Sequence, residues 1–122
     1  MPIEKAICLN IMYSAKDKKF YKSYYNLANI YLDKENYGLA IENYKKAIRI
    51  NNKNPYVYYN LASAYIKSGN LSKAKSSLIQ AVTIKNDVAE FHYNLAYVYN
   101  KLNKQKLAET YLSNYNKLTE NQ

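Results

Sequence analysis

The chain has 122 residues, 48% of them hydrophobic, and its 18 Lys and Arg against 9 Asp and Glu give a net charge of +9. That length suits one domain, and only 2 Gly and 2 Pro exclude a turn-rich all-β chain. No apolar run reaches the roughly 20 residues of a membrane-spanning helix, and the single cysteine, Cys8, excludes an internal disulfide, which fits a reducing, cytoplasmic setting.

Residues 2–16 predict an amphipathic helix with Ile7, Cys8, Ile11, Met12 and Ala15 on one side. Glu4 and the charges that follow make this stretch a poor secretory signal, barring a signal trimmed earlier. It is expected to cap the domain as a worn half-repeat (1–20) packed on the next helix, with 16–19 as a polar link. Cys8 reads as a small buried apolar residue. The rest, 21–122, is expected to form one continuous domain.

From there a frame recurs: "YYNLANIY" at 24–31, "YYNLASAY" at 58–65 and "HYNLAYVY" at 92–99, with Leu27, Leu61 and Leu95 each 34 residues apart. Three units follow, 21–54, 55–88 and 89–122, each a helix, a short turn and a second helix. The first helices carry Leu27, Ala28 and Tyr31, then Leu61, Ala62 and Tyr65, then Leu95, Ala96 and Tyr99. Those positions share one helical face. The second helices carry Ala40, Tyr44, Ala47, Ile48 and Ile50, then Ala74, Leu78, Ala81, Val82 and Ile84. Alanines at these columns let helix axes approach; anything larger overpacks, at roughly 1–3 kcal/mol. One hairpin cannot bury such a face alone, so neighbours must stack.

The turns share a column too. Gly69 and Asn103 can take the left-handed conformation that ends a helix. Glu35 stands in that column, and Asn36 or Gly38 is expected to take the conformation in its place. Between units, Pro55 opens a helix, and Asp87 is expected to cap the next. The last helix carries Ala108, Leu112, Tyr115, Asn116 and Leu118. Tyr115 replaces the Ala47/Ala81 column and Asn116 the Ile48/Val82 column. That wetter face predicts an array end, or a homodimer contact through Leu112, Tyr115 and Leu118.

The 34-residue period, the Leu-Ala-x-x-Tyr run and the Ala-x-x-x-aromatic/Leu-x-x-Ala run together resemble the tetratricopeptide repeat, over 21–122. Departures are Asn52 and Asn86 where a proline is usual, with Pro55 slightly later, and Tyr24, Tyr58 and His92 where Trp or Leu is common. The resemblance implies an all-α, right-handed superhelical solenoid of antiparallel helix pairs, about seven helices in all. It implies a non-catalytic adaptor or scaffold that binds a protein or peptide partner on its concave face.

The concave columns read Lys22, Tyr25, Asn26, Asn29 and Asp33, then Tyr56, Tyr59, Asn60, Ser63 and Lys67, then Glu90, Tyr93, Asn94, Tyr97 and Lys101. A tyrosine ladder and an asparagine ladder run along it. Asparagine can pair with a peptide amide without reading sequence; tyrosine adds flat apolar area at low entropy cost. Tyr59 and Asn60 are expected to stand exposed. The positions matching the family's chaperone-binding carboxylate clamp hold Tyr25, Asn29, Asn60, Glu90 and Asn94, with no cation, so a carboxylate clamp is not expected.

One histidine and one cysteine cannot build a metal site or a catalytic triad, and no Gly-rich phosphate loop occurs. No enzyme, metal or cofactor is expected, and His92 reads as a packing residue. The concave columns carry a net charge of only +1. Most of the excess cations lie outside those columns, many of them on the second helices and spread out, and the over-use of Lys, Asn, Tyr and Ile points to compositional bias. Nucleic-acid or acidic-surface binding therefore ranks below peptide binding, beside a third possibility, a structural subunit that assembles through its outer or terminal face.

Overall fold

The computed structural model describes residues 20–120. Six helices run through them: α1 (20–33), α2 (Tyr37–Ile50), α3 (Pro55–Lys67), α4 (Leu71–Ile84), α5 (Ala89–Lys101) and α6 (Gln105–Glu120). No strand occurs among the described residues. The expected N-terminal helix and Cys8 lie outside them. No helix of the described residues is long and apolar enough to cross a membrane.

Each hairpin turn is built the same way. The N–H groups of Asn36, Asn70 and Lys104 donate to the carbonyls of Tyr31, Tyr65 and Tyr99, each at 2.8 Å. One residue earlier, Glu35, Gly69 and Asn103 donate to Leu32, Ile66 and Asn100 at 3.0, 3.0 and 3.1 Å. This paired closure requires a left-handed residue at the earlier position. Gly69 has φ +88° and Asn103 has φ +62°, as the sequence implies. The first turn departs from expectation: Glu35 itself takes φ +62°. Asn36 has φ −91° and caps α2, and Gly38 lies within that helix. The repeat's bond pattern fixes which residue turns left-handed, whatever side chain stands there.

Side-chain caps also follow the frame. Asn36, Asn54 and Asn70 accept from the backbone N–H of Leu39, Tyr56 and Lys73 at 3.4, 3.0 and 3.2 Å. α5 breaks the series: its N-cap is Val88, without a side-chain bond. Asp87, the expected cap, pairs with Lys85 at 3.0 Å.

Packing explains the alanines. Ala28, Ala40, Ala47, Ala62, Ala74 and Ala81 are wholly buried, as small residues between closely packed helices must be. Tyr44, Phe91, Leu78, Leu95, Val57 and Val98 are the largest fully buried side chains. The stack is thus an all-α solenoid whose core runs unbroken from repeat to repeat.

Candidate protein-interaction surface

The three repeats put equivalent residues to different uses. In repeat one, Tyr25 and Asn29 are half-buried, and Lys22 and Asn26 are exposed. The Asn60 amide reaches back from α3 and donates to the Tyr25 hydroxyl at 3.1 Å and to the Asn29 side-chain oxygen at 3.2 Å. The same Asn29 oxygen accepts from the hydroxyl of fully buried Tyr44 on α2. Burial pushes both the Tyr25 and Tyr44 hydroxyls above the ordinary tyrosine range, so each keeps its proton. This network ties three helices together, and its polar groups are spent on one another.

Repeat two is closed by aromatic packing. Tyr59 is half-buried with its ring 5.2 Å from Phe91, and exposed Tyr56 meets the same ring edge-on at 5.5 Å. Ser63 donates to the Tyr59 carbonyl at 3.2 Å. Tyr59 and Asn60 are therefore not the exposed pair expected: the first leans on the next repeat, the second on the previous one.

Repeat three is open. Tyr93 is 52% exposed and Tyr97 43%. Lys101 lies over the Tyr97 ring at 5.6 Å, and Tyr93 packs against Tyr115 at 5.2 Å. Glu90 is exposed and Asn94 half-buried. A cavity of about 330 Å³ separates α3 from α5, lined by Ser63, Ile66, Lys67, Tyr93, Asn94 and Tyr97. A second, about 360 Å³, lies between α5 and α6, shares Tyr93 and Tyr97, and includes Ala96, Ala108 and Leu112. The structure thus brings Ser63, Tyr93, Asn94 and Tyr97 together and leaves Lys22, Asn26 and Tyr56 outside that cavity. Ile66, half-buried in that lining, was not singled out from the sequence; only the packing of α3 beside α5 brings it there.

Tetratricopeptide models match this chain over 28–69 and again over 55–88 and 89–122. The chain belongs to the tetratricopeptide repeat family. Solved tetratricopeptide-type solenoids are similar to it. "Crystal structure of MamA" has a TM-score of 0.80 at 21% identity, covering 83% of this chain and 59% of that one. The second TPR of Spaghetti (RPAP3), solved bound to the HSP90 peptide SRMEEVD, gives 0.80 at 21%, covering 84% and 95%. A MamA fragment from Desulfovibrio magneticus RS-1 gives 0.78 at 17%, covering 93% and 71%. The chain spans 59% and 57% of the first two MamA structures. No curated protein matches it.

His92, where the repeat usually places an apolar residue, is buried. Its Nε2 lies 2.8 Å from the Asn86 carbonyl, its Nδ1 lies 3.5 Å from the Asn114 amide, and Tyr111 tilts over the ring at 5.8 Å. Both ring nitrogens face protein partners. No group of three potential metal ligands occurs among the described residues.

Proposed function

We propose that this repeat domain is a non-catalytic interaction module that holds a peptide or helix of a partner protein on the concave side of repeats two and three, as an adaptor or scaffold. The supporting observation is the cavity between α3 and α5, walled by Tyr93 and Tyr97, the most exposed of the concave tyrosines outside repeat two. Large, half-free aromatic rings beside an apolar recess are the usual anchors of a partner segment. Ser63 and Asn94 line the same recess and offer polar edges for a backbone.

Affinity capture with the wild type and with Tyr93→Ala/Tyr97→Ala tests this. Loss of the wild-type partner from the double variant, with an unchanged melting temperature, is the expected result. Equal capture by both proteins refutes the assignment to repeats two and three. The peptide mode of the RPAP3 domain is not carried over. The clamp columns hold no cation, Asn29 and Asn60 bond each other, and Glu90 repels a carboxylate. SRMEEVD with a free C-terminus is expected to show no saturable binding by fluorescence polarisation; micromolar binding abolished by amidation would show a clamp after all.

A second reading, assembly through the terminal face, is favoured by the 44% exposure of Leu112 beside the cavity between α5 and α6. Sedimentation of the wild type and Leu112→Glu distinguishes it: a dimer lost in the variant supports it. Nucleic-acid binding ranks below both, because cations such as Lys46 and Lys73 stand on the second helices, over Tyr24 and Tyr65. A gel-shift complex surviving moderate salt would reverse that order.

A further inference from the structure

Along α5, Glu90, Tyr93, Tyr97 and Lys101 follow one another at helical spacing, so an acid, two aromatic rings and a cation succeed each other over about 16 Å. Lys67 lines the recess between α3 and α5 beside Ile66 and both tyrosines. Lys101 lies over the Tyr97 ring at 5.6 Å. Lys67 and Lys101 are the last residues of α3 and α5, so both cations stand at the same end of the recess. Both are exposed. Neither has a carboxylate partner among the described residues, where the ion pairs join Lys46 to Glu42 and Lys85 to Asp87. In repeat one the same column holds exposed Asp33. The column thus changes sign where the concave face opens. The nearby carboxylates stand elsewhere: Glu90 at the opposite end of α5, and Glu109 in the lining of the cavity between α5 and α6.

We propose that the partner segment seated in this recess is acidic: a large apolar side chain lodges against Tyr93, Tyr97 and Ile66, and an Asp or Glu beside it pairs with Lys67 and Lys101. This rests on the recess being the partner's seat, as proposed above, and adds the chemistry of the partner. Tyr97 and Lys101 are four residues apart, about 6 Å along the helix. An extended segment spans that distance in two residues at about 3.3 Å each, and a helical one in four. The acid is therefore an internal side chain at a fixed distance from the anchor, not a terminal carboxylate. Glu90 repels an acid at the other end, so the charge pattern also sets the direction in which the segment lies. A nucleic-acid strand fits less well, because it is charged along its whole length and has to pass Glu90 or Glu109.

Selection from random peptides displayed at the N-terminus of a phage coat protein tests this, since such peptides have no free C-terminus. Wild type is expected to enrich sequences with a large apolar residue and an Asp or Glu at that spacing. Lys67→Glu/Lys101→Glu is expected to bind an enriched peptide on the order of tenfold more weakly by fluorescence polarisation, and to select Lys or Arg at the acidic position. Lys45→Glu/Lys73→Glu makes the same change of net charge on α2 and α4, and is expected to keep the wild-type preference. Peptides that need Tyr93 and Tyr97 but show no acidic preference overturn the proposal and leave the recess as the seat. So does a preference that the α2 and α4 variant loses equally. No enrichment by the wild type, or enrichment indifferent to Tyr93→Ala/Tyr97→Ala, overturns both readings. Displacement of an enriched peptide by oligothymidine at equal concentration overturns the choice of a protein partner.

Discussion

Tyr25 and Tyr93 occupy the same column of the repeat, and the molecule treats them oppositely. Tyr25 is half-buried in a polar network that reaches Asn29, Tyr44 and Asn60. Tyr93 is 52% exposed at the rim of two recesses. The difference comes from their neighbours. In repeat one the position four residues on is Asn29, and the next repeat sends Asn60 into the same space. In repeat three the equivalent position is Tyr97, and no further repeat follows among the described residues to send an asparagine into that space. A repeated column is therefore not a repeated environment: at one end it is hydrogen-bonded across three helices, and at the other it is exposed.

Five substitutions sharpen or break that contrast. Phe91→Ala removes the ring on which Tyr56 and Tyr59 rest, and is expected to cost about 3–5 kcal/mol. Chemical denaturation measures it; a loss below about 1 kcal/mol would mean that repeats two and three are not locked by this ring. Asn29→Ala leaves the buried Tyr44 hydroxyl without its acceptor, and is expected to cost about 1–3 kcal/mol. If it proves as mild as a surface substitution, the repeat-one network is not structural. The turns give a smaller, signed effect. Glu35→Gly is expected to stabilise by about 1 kcal/mol, and Gly69→Ala to destabilise by a similar amount, because both positions are left-handed. Thermal melts that moved in the same direction for both would contradict that shared geometry. Smallest of all, Tyr93→Ala is expected to change stability by no more than about 0.5 kcal/mol, since half of its surface is free. A larger loss would place Tyr93 in the core and weaken its assignment to a partner.

Much of the architecture was legible from the 34-residue spacing. Ala28, Ala62, Ala40 and Ala74 mark close helix approaches by their size, and each is fully buried. Local chemistry was less reliable. Asp87 looks like a helix cap but bonds Lys85, and Glu35 adopts a conformation that its side chain disfavours. Glu35 is held there because the bond pattern of the hairpin turn outweighs a single-residue propensity worth about 1 kcal/mol, whereas Asp87 stands one residue before the cap column, which Asn54 fills in repeat two and Val88 in repeat three.

The sequence by itself determined the repeat, its register and which faces must meet, because helical periodicity maps directly onto buried columns. It could not determine which members of the tyrosine and asparagine columns remain free. That depends on contacts between residues 31 to 35 positions apart, such as Asn60 with Asn29 and Tyr25. Such pairs close only when helices from successive repeats are brought side by side, and only then does a shared column divide into braces and open surface.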